Sequence, residues 1–463
     1  MKELSVTDLA EIIDARVIAS SDAIRNTQYA SQVSTDSRTV QPGDCFFAIP
    51  GDNFDGHNFL ADAFAKGASC AVVSKSSSID NQQSAISNKI ILKVQDTVIA
   101  LGDLAASYRR DCNFKVVAIT GSVGKTTTRQ IAHHVLSQRF KTFQTLKNFN
   151  NFIGLPLSVL AAPPDTEILI LELATNKPGE IAYLSKIAAP DVALITNVHP
   201  VHLAGLGSIE KIAEEKLSIV KGLRPDGILI LNADCPVLVD FARKLNLSFQ
   251  TFSCNKLTGL CLDPLSSRFY IDNAIVEIPL PGRGNVENTL AASAICSSLG
   301  VSIREFADAV KTISPLSMRT ELLQIGSLTV ISDCYNANPA SMKNALDILA
   351  ALANKEERRS VFICGDMAEL GDSEQDLHRR LGEQIANAGV QSLITLGNLA
   401  ALAADAAKRQ NPGLQTRAFA DPAELCNNLS LMIKDSDIIL VKGSRVNKLE
   451  MVVEKLKQLR NAK

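Results

Sequence analysis

Short apolar runs alternate with amphipathic segments along most of this 463-residue chain. Runs such as KVVAIT, TEILILEL and DVALITNV are rich in β-branched residues and leucine. Such continuous apolar runs are typical of parallel strands that are buried on both faces. The stretches between them repeat apolar residues at helical spacing, as in DTVIALGDLAASYRR, TRQIAHHVLSQRF and NKLEMVVEKLKQL. This alternation predicts an α/β fold in which helices flank parallel sheets.

The predicted strands fall into three successive groups along the chain. They are DCFFAIPG and ASCAVVSK in the first group, KVVAIT, TEILILEL, DVALITNV and GILILNAD in the second, and LTVISDC, SVFICGD, SLITLG and DIILVKGS in the third. A chain of this length is also expected to form about three domains, at ~150 residues each. We therefore predict domains at residues 1–110, 111–313 and 314–463, the last with a Rossmann-like alternation of strands and helices.

Composition narrows the class of protein. The formal net charge of -2 offers no broad basic face for nucleic acid or acidic lipid. No uncharged apolar run reaches membrane-spanning length, and acidic residues interrupt the N-terminal segment where a signal peptide is apolar. The ten cysteines are scattered singly, as in a reduced protein core. We expect a cytoplasmic monomer that neither binds nucleic acid nor inserts into a membrane.

The stretch AITGSVGKTTT has the features of a phosphate-binding loop, although Ile119 stands where the usual motif has its first glycine. A strand precedes it and a helix follows it. In that context backbone N–H groups and the helix N-terminus attract phosphate, a lysine reaches the terminal phosphates, and a threonine hydroxyl can bind Mg²⁺. The alternative is a polar turn beside a surface lysine, which the flanking strand and helix disfavour. The predicted nucleotide-binding residues are Gly121, Ser122, Val123, Gly124, Lys125, Thr126 and Thr127.

Four other residues are candidates whose role the local sequence leaves open. Glu172 ends an apolar strand, where a carboxylate needs either a metal or a salt-bridge partner. His199 and His202 follow the strand DVALITNV, at the edge where open α/β sheets bind ligands, yet loop histidines are more often structural or exposed. Lys216 lies in a helical stretch, where a lysine is ordinarily a solvated charge.

The combined pattern resembles that of the Mur ligase family. It consists of the loop, Glu172, His202 and Lys216, and Lys216 comes fourteen residues after His202. In that family ATP converts a carboxylate into an acyl phosphate, which an amine then attacks. The shortened loop is similar to the TGSxGKT loop of the family. The resemblance implies that Lys125 and Thr126 hold ATP and one Mg²⁺, and that Glu172 and His202 position a second Mg²⁺. It also implies that carbon dioxide carbamylates Lys216, and that Lys125, His202 and Lys216 are catalytic.

Motifs in the second half of the chain narrow the resemblance to the branch of the family that adds D-alanyl-D-alanine. PGRGNVENTLAA is similar to the helix that approaches the adenine side of the nucleotide, and SMRTELLQIG supplies an arginine implied to contact phosphate. ISDCYNANPASM resembles a stretch that faces the nucleotide or the incoming amine. The residues implied by these motifs are Asn285, Asn288, Arg319, Asp333, Tyr335, Asn336 and Asn338.

Two motifs nearer the N-terminus imply the acceptor site. TDSRTVQPGDCFFAIPGDNFDGHNF resembles the region that binds the UDP-sugar, and LKNFNNFIGLP resembles the loop at the acceptor carboxylate. The implied substrate-binding residues are Asp36, Ser37, Arg38, Asp55, Gly56, His57, Asn148, Asn150 and Asn151. The chain departs from the family pattern at Ala174, Ala204, Ser218 and Ser332, none of which is an implied metal ligand.

The resemblance implies an ATP-dependent amide ligase with a central phosphate-loop ATPase domain. Its substrates would be UDP-N-acetylmuramoyl-tripeptide and D-alanyl-D-alanine, and its products would include ADP and phosphate, in peptidoglycan precursor synthesis. One alternative is another Mur ligase, or a folate-polyglutamating relative, that adds a single amino acid. A GTPase-type switch is the alternative from another class, but it should carry Asn-Lys-x-Asp, and no Asn-Lys pair here continues in that way.

Overall fold

The computed structural model describes residues 1–19, 28–51, 53–74, 88–201 and 203–461. Every strand predicted from an apolar run is present. The strands, numbered in chain order, are β1 Leu4–Ser5, β2 Arg16–Ala19, β3 Tyr29–Ala30, β4 Val33–Ser34, β5 Cys45–Phe47, β6 Cys70–Val73, β7 Ile90–Lys93, β8 Lys115–Thr120, β9 Thr142–Gln144, β10 Ile168–Glu172, β11 Val192–Ile195, β12 Ile228–Asn232, β13 Gln250–Phe252, β14 Thr258–Leu262, β15 Ser267–Ile271, β16 Ala274–Ile278, β17 Glu321–Ile325, β18 Leu328–Ser332, β19 Ser360–Gly365, β20 Ser392–Leu396, β21 Gln415–Phe419 and β22 Ile438–Lys442.

The three helices quoted from the sequence also form, as α3, α4 and α16 below. The described helices are α1 Val6–Ile12, α2 Leu60–Ala65, α3 Thr97–Asp111, α4 Lys125–Leu136, α5 Gly154–Ala161, α6 Glu180–Ala188, α7 Leu203–Leu206, α8 Ile209–Leu217, α9 Pro236–Lys244, α10 Arg283–Ser298, α11 Ile303–Val310, α12 Pro339–Glu356, α13 Glu374–Asn387, α14 Asn398–Gln410, α15 Pro422–Met432 and α16 Glu450–Asn461. Short 3-10 helices occur at Gly56–Phe59, Ser218–Lys221, Gly371–Ser373 and Arg445–Asn447.

The N-terminal part contains a five-stranded sheet in the order β2-β7-β6-β5-β4. Strands β4 to β7 pair in parallel, and β2 pairs antiparallel with β7. Phe46, Leu60 and Phe64 are in the apolar core that joins this sheet to α2. The short strands β1 and β3 form a separate antiparallel pair.

The central sheet has the order β13-β12-β11-β8-β10-β9. Strand β10 pairs in parallel with β8 and β9, and β12 pairs in parallel with β13. Every residue of β10 and β11 is buried, as expected for strands that are covered on both faces. The phosphate-loop sequence follows directly from β8, so the prediction of a strand, a loop and a helix is confirmed here.

The C-terminal sheet has the order β17-β18-β22-β19-β20-β21. From β18 to β21 in this sheet order, each strand pairs in parallel with the next. Strand β17 pairs antiparallel with β18 at the edge. Two separate apolar clusters include residues of this sheet: one contains Met342, Leu381 and Ala403, and the other Leu425 and Val452. Helices therefore cover two faces of a mostly parallel sheet, which confirms the predicted Rossmann-like class.

One part of the fold departs from the prediction of parallel sheets. Strands β14, β15 and β16 form a three-stranded antiparallel sheet. In it, buried residues such as Phe269 and Val276 alternate with exposed ones such as Tyr270 and Ile275. A strand buried on one face has period-two alternation rather than a continuous apolar run, and this pattern was missing from the sequence prediction.

The chain divides into two compact units. The first comprises Met1–Thr120, Arg139–Leu194 and Ser218–Leu229, and the second comprises Gly121–Gln138, Ile195–Leu217 and Ile230–Lys463. The domain boundaries at residues 110 and 313 stay a prediction.

The structure also bears on the predictions of reduced cysteines and of no insertion into a membrane. All ten cysteines are free, and eight of them are buried, whereas Cys112 is half-buried and Cys261 is exposed. Among the described helices, none has the length and apolar character needed to cross a membrane.

Helices α13 and α14 provide a direct test of packing in the C-terminal sheet domain. A Cβ atom at Gly382 would lie 2.2 Å from the Ala403 carbonyl oxygen. We expect Gly382→Ala to lower the free energy of unfolding by about 1–3 kcal/mol, because the methyl group must push two backbones apart. Denaturant unfolding measures this. At Gly413 the nearest atom to a Cβ is 3.4 Å away, so Gly413→Ala is the control. Equal stability of the two variants would contradict the close approach.

Candidate active site

Two glycines allow the phosphate loop to pass close to its neighbours. Gly121 has φ +146°, and a Cβ there would lie 1.8 Å from the Thr196 hydroxyl oxygen. Gly124 has φ +87°, and its Cβ would lie 2.0 Å from Asn288 Oδ1. A side chain would be strained at both positions and would also collide. The loop therefore requires glycine at each.

The loop ends at the N-terminus of α4. Gly124 is the N-cap residue, and among the described residues no side chain caps this helix end. The first N–H groups of a helix lack partners within the helix and favour anions. The Lys125 ammonium donates to the Gly121 carbonyl at 2.7 Å, which folds this cation over the loop. This end of the helix is therefore suited to a phosphate chain.

The segment that follows β11 fixes the loop from outside. Asn197 Oδ1 accepts from Val123 N at 2.9 Å, and the Thr196 hydroxyl donates to the Val123 carbonyl at 2.6 Å. Ser122 N donates to the Asn197 carbonyl at 3.0 Å. Sequence reasoning missed Thr196 and Asn197 as loop supports. Their signal was present, since ITNV places a polar pair directly after a buried strand.

His199 belongs to the same support. Its backbone N–H donates to the Ser122 hydroxyl oxygen at 2.9 Å. Burial lowers the pKa of its imidazole, which favours the neutral form. His202, the other histidine considered from the sequence, lies outside the residues that the structure describes.

Glu172 is buried at the end of β10, in register with Ile119 of β8. Its Oε1 accepts from Asn150 Nδ2 at 3.0 Å, and its backbone N–H donates to the Thr145 hydroxyl at 2.9 Å. The carboxylate is thus held in place partly by an amide. It is an oxygen donor of the kind that Mg²⁺ prefers.

The asparagines of the predicted acceptor loop also have structural contacts. Asn151 Oδ1 accepts from the backbone N–H groups of Ile153 and Gly154, at the start of α5. The Asn148 carbonyl accepts from Asn150 N at 2.9 Å. Asn150 contacts Glu172, as described above. Their assignment to the substrate stays a prediction, and the contacts show how the loop is shaped.

Lys216 lies on α8 and is only 2% exposed. The interpretation of this residue as a solvated helix charge is therefore wrong. Burial lowers its pKa well below the ordinary lysine value, and the positive charge of Lys125 lowers it further. Burial and repulsion from the phosphate-loop lysine therefore both favour the neutral form of Lys216.

Arg319 reaches the phosphate loop from the start of the C-terminal domain. Its Nη2 donates to the Thr126 hydroxyl at 3.0 Å, and its Cζ lies 4.1 Å from the centre of the Tyr335 ring. Stacking on an aromatic face orients a guanidinium and stabilises its charge. The structure thus brings together Arg319, Tyr335 and Thr126, which the sequence had placed in separate motifs.

The other polar residues of the stretch ISDCYNANPASM also make contacts within the fold. Asp333 forms an ion pair with Lys442 at 2.7 Å. Asn338 accepts from Ser341 N at 2.9 Å and caps α12, and Asn336 Oδ1 accepts from Ala337 N at 2.8 Å. The roles predicted for Asn336 and Asn338 in amine or nucleotide binding stay predictions. Lys442 was not singled out in the sequence.

The two asparagines of α10 have different surroundings. Asn288 lies beside Gly124 and accepts from the Thr128 hydroxyl at 3.5 Å. Asn285 is buried and donates from Nδ2 to the Pro281 carbonyl at 2.8 Å. Asn288 therefore lies against the phosphate loop, and the assignment of this pair to the adenine side stays a prediction.

The residues predicted to bind the UDP-sugar form two local clusters. Arg38 makes a bidentate pair with Asp36 and lowers the pKa of that carboxyl group to about 2. His57 is fully buried: its Nδ1 bonds Asp55 at 2.6 Å, and its Nε2 accepts from Ser74 N at 3.0 Å. Backbone donation to Nε2 leaves the proton on Nδ1.

Gly56 and Ser37 complete these clusters. A Cβ at Gly56 would lie 2.7 Å from Ile49 N, so the turn requires glycine. Ser37 is half-buried. His57 and Gly56 therefore shape this turn, and Arg38 is exposed. The assignment of these residues to the UDP-sugar stays a prediction.

The donor set around the loop is compatible with Mg²⁺, which takes a few protein oxygens together with phosphate and water. The Thr126 hydroxyl oxygen, to which Arg319 donates, is a donor atom of the type that Mg²⁺ takes. Within the described ranges, no three His, Cys, Asp or Glu residues are grouped closely enough to hold a metal alone.

Family models match three successive parts of the chain. They are the Mur ligase family catalytic domain at residues 30–109, the Mur ligase middle domain at 119–296, and the Mur ligase glutamate ligase domain at 318–445. The three matches confirm a three-domain arrangement.

Individual proteins are similar over nearly the whole chain. The UDP-N-acetylmuramoyl-tripeptide–D-alanyl-D-alanine ligase of Bacillus subtilis is 34% identical, over 98% of this chain and 99% of its own length. MurF from Acinetobacter baumannii is 29% identical in sequence, with a TM-score of 0.88 and 99% coverage of each chain. The MurF ligase of Thermotoga maritima in complex with ADP is 25% identical, with a TM-score of 0.80, over 96% of this chain and 99% of that one.

Gly124 and Gly179 allow a matched test of the loop. Both are helix N-cap residues with nearly the same backbone angles, φ 87° and ψ -9° against φ 88° and ψ -10°. A Cβ at Gly179 meets nothing within 4 Å, whereas at Gly124 it meets Asn288. We expect Gly124→Ala to weaken ADP binding at least about tenfold, because the methyl group displaces the loop.

Gly179→Ala should carry the same backbone strain and keep its affinity for ADP. Isothermal titration calorimetry of the two folded variants measures the difference. Equal ADP affinities would mean that the contact at Asn288 does not shape the nucleotide site.

Proposed function

The chain belongs to the Mur ligase family, and from that membership we propose that it is the ligase that joins D-alanyl-D-alanine to UDP-N-acetylmuramoyl-tripeptide. The reaction uses ATP and gives UDP-N-acetylmuramoyl-pentapeptide, ADP and phosphate. The observation that carries this proposal is the similarity to D-alanyl-D-alanine ligases from end to end, at 34% identity. The single-amino-acid ligases and the GTPase-type switch lack that support.

The chemistry explains why ATP is needed. A carboxylate is a poor acyl donor because an oxide is a poor leaving group. Transfer of the terminal phosphoryl group of ATP to the tripeptide carboxylate makes phosphate the leaving group. The amine of D-alanyl-D-alanine then attacks the acyl carbon, the C–O bond to phosphate breaks, and the amine proton is lost. The products are an amide and inorganic phosphate.

The phosphate loop supplies the first set of roles. We assign Gly121 to Thr127 to the triphosphate, with Lys125 on the terminal phosphates, since the loop opens a helix and its lysine folds back over it. Arg319 adds a second cation, which contacts Thr126 and stacks on Tyr335. Positive charge fixed in advance around a transferring phosphoryl group lowers the barrier to its transfer.

The magnesium assignment follows the resemblance. Thr126 would hold one Mg²⁺, and Glu172 and His202 would position a second. When bound, such ions neutralise phosphate charge and polarise the phosphoryl and acyl oxygens. Glu172 supports its part of the assignment, because it is a buried carboxylate at the end of a strand.

We further propose that Lys216 is carbamylated. Carbon dioxide reacts with the neutral amine, and burial next to Lys125 lowers the pKa of Lys216, so the neutral form is more abundant at a given pH than in an exposed lysine. The nitrogen attacks carbon dioxide and loses a proton, which replaces a cation by an anionic carbamate. The anion would relieve the repulsion from Lys125 and offer oxygens to Mg²⁺.

The remaining assignments concern the substrates. We assign Asp36, Ser37, Arg38, Asp55, Gly56 and His57 to the UDP-sugar domain at residues 1–110. Asn148, Asn150 and Asn151 belong to the acceptor-carboxylate loop of the ATP-binding domain at 111–313, and Asn285 and Asn288 to its nucleotide. Asp333, Tyr335, Asn336 and Asn338 belong to the ligase domain at 314–463. Because the reaction consumes ATP and a nucleotide sugar, we propose a cytoplasmic enzyme, and we expect a monomer in light scattering.

Substrate specificity is the direct test of the function. Purified protein with ATP, UDP-N-acetylmuramoyl-tripeptide and D-alanyl-D-alanine should release ADP. The tripeptide is supplied in two forms, with meso-diaminopimelate or with L-lysine as its third residue, and the assay shows which form is used. With D-alanine alone or with L-alanyl-L-alanine, the protein should release little ADP. A site shaped for two D-residues would leave some of its polar groups without hydrogen-bond partners when either compound binds.

A coupled ADP assay measures these rates, and mass spectrometry identifies the pentapeptide. Lys125→Ala is the control for contaminating ATPase activity. Comparable rates with free amino acids would move the chain to another branch of the family.

Lys216 gives a second test. Lys216→Ala should lower kcat at least about 100-fold, because charge stabilisation at the transferring group is lost, and a short carboxylic acid should restore part of it. Wild-type activity should rise with bicarbonate, and with pH as the depressed lysine pKa is passed and the neutral amine accumulates.

The matched control is Lys211→Ala on the same helix, where the ammonium is exposed and pairs with Glu214 at 3.0 Å. It should change neither kcat nor the response to bicarbonate. An active Lys216→Ala variant would exclude the carbamate.

A further inference from the structure

A buried ion pair lies outside the roles assigned so far. Lys442 ends β22, a central strand of the C-terminal sheet, and only 1% of its side chain is exposed. Its ammonium donates to Asp333 Oδ2 at 2.7 Å and to the Asn336 carbonyl at 3.0 Å. Asp333 follows the neighbouring strand β18. The pair therefore joins the carboxyl ends of two adjacent strands.

A strained corner lies directly beside this pair. Met318 has φ +59° and Thr320 has φ +53°, although neither residue is glycine. A β-branched residue such as threonine is rarely found in the left-handed region. Such a conformation persists only where surrounding contacts hold it. The corner therefore depends on its neighbours.

Asp333 supplies one of the contacts that hold the corner. Its Oδ1 accepts from Thr320 N at 3.2 Å, on the oxygen that Lys442 does not contact. On the other side, Tyr335 N donates to the Met318 carbonyl at 3.2 Å. Both flanks of Arg319 are thus tied to the segment that follows β18, and that segment is tied to Lys442.

We propose that Lys442 is a positioning residue, which acts through Asp333 to hold the corner that aims Arg319 at Thr126 of the phosphate loop. The inference rests on the proposed function, since it concerns the binding and transfer of phosphate by that same site. Within the described residues, the hydrogen bonds of Lys442 go to Asp333 and Asn336, and none goes to Arg319 or the loop. Its effect must pass through the carboxylate.

The physical reason is the charge of Asp333. A buried carboxylate is costly without a cation, and burial raises the pKa of Asp333 while Lys442 opposes that rise. Without Lys442 the carboxyl group would bind a proton or turn away. A neutral oxygen accepts a weaker hydrogen bond from Thr320 N than an ionised one does. The corner would then relax to ordinary backbone angles, and Arg319 would leave Thr126.

A double-mutant cycle tests this path. Arg319→Ala should lower kcat/KM for ATP about 100-fold, as expected for loss of a cation on a transferring phosphoryl group. Lys442→Met keeps the length of the side chain and should lower it about tenfold. The double variant should match Arg319→Ala within about threefold, because one interaction is lost only once.

Independent effects would instead multiply to about 1,000-fold, and that result would overturn the inference. So would an unchanged kcat/KM in folded Lys442→Met. The same cycle on the Kd for ATP, measured without peptide substrates, separates the two proposals. If wild-type protein forms no pentapeptide, the proposed function fails, while coupling in Kd still tests Lys442.

The matched control is another ion pair of the same sheet, in which Asp437 is buried and Arg359 is half-buried. Arg359 donates to Asp437 at 2.8 Å, immediately before β19 and β22 begin. Arg359→Met should lower Tm, as Lys442→Met does, and should leave kcat/KM for ATP unchanged. An equal loss of kcat/KM in this control would mean that instability alone explains Lys442→Met, and would overturn the inference.

A second variant covers the case in which Lys442→Met does not fold. Lys442→Arg keeps the charge, but its planar guanidinium cannot reproduce the contacts of a compact ammonium. This variant should fold and raise KM for ATP several-fold. It should lose that effect in an Arg319→Ala background. An unchanged KM in folded Lys442→Arg would also overturn the inference.

Discussion

The burial of Lys216, to which the positive charge of Lys125 adds, is the electrostatic constraint on which the site depends. Lys125 belongs to the phosphate loop and donates to the Gly121 carbonyl, and its positive charge acts on the buried Lys216. A buried ammonium near a second cation is costly unless anions arrive or one of the two loses its proton. ATP, and the carbamate that we propose on Lys216, would both relieve that cost. The site is therefore organised around negative charge that the protein itself does not supply in the loop.

Close backbone packing is the second requirement, and it explains why glycines stand where they do. Gly121 and Gly124 bring the loop against Thr196 and Asn288, and Asn197 then fixes the loop from the next segment. Thr196 and Asn197 can support the loop in this way without contacting the nucleotide. They remove conformational freedom from the loop beforehand, so that less order has to be gained when phosphate binds.

Several polar residues that look chemical in the sequence have a structural contact in the fold. Asn151 accepts from a backbone N–H group at the start of α5, Asn338 caps α12, and His57 bonds Asp55 and the Ser74 backbone. Such contacts do not exclude contact with substrate through remaining atoms. They mean that substitution of these residues changes loop shape as well as recognition, so kinetic effects at these positions need a stability measurement beside them.

Local pattern in the sequence determined the strands, the phosphate loop and the fold class, because continuous apolar runs and the glycine-lysine-threonine order depend only on neighbouring residues. Strands such as β15, in which buried and exposed residues alternate, lack a continuous apolar run and were not predicted. Lys216 shows what pattern could not decide, since a lysine in an amphipathic helix has the same local sequence whether it is buried or exposed. The contacts of Asn197 with Val123 and of Lys442 with Asp333 join residues 74 and 109 positions apart. Only the tertiary structure decides such pairs, because the fold, and not the chain order, determines which side chains share a buried space.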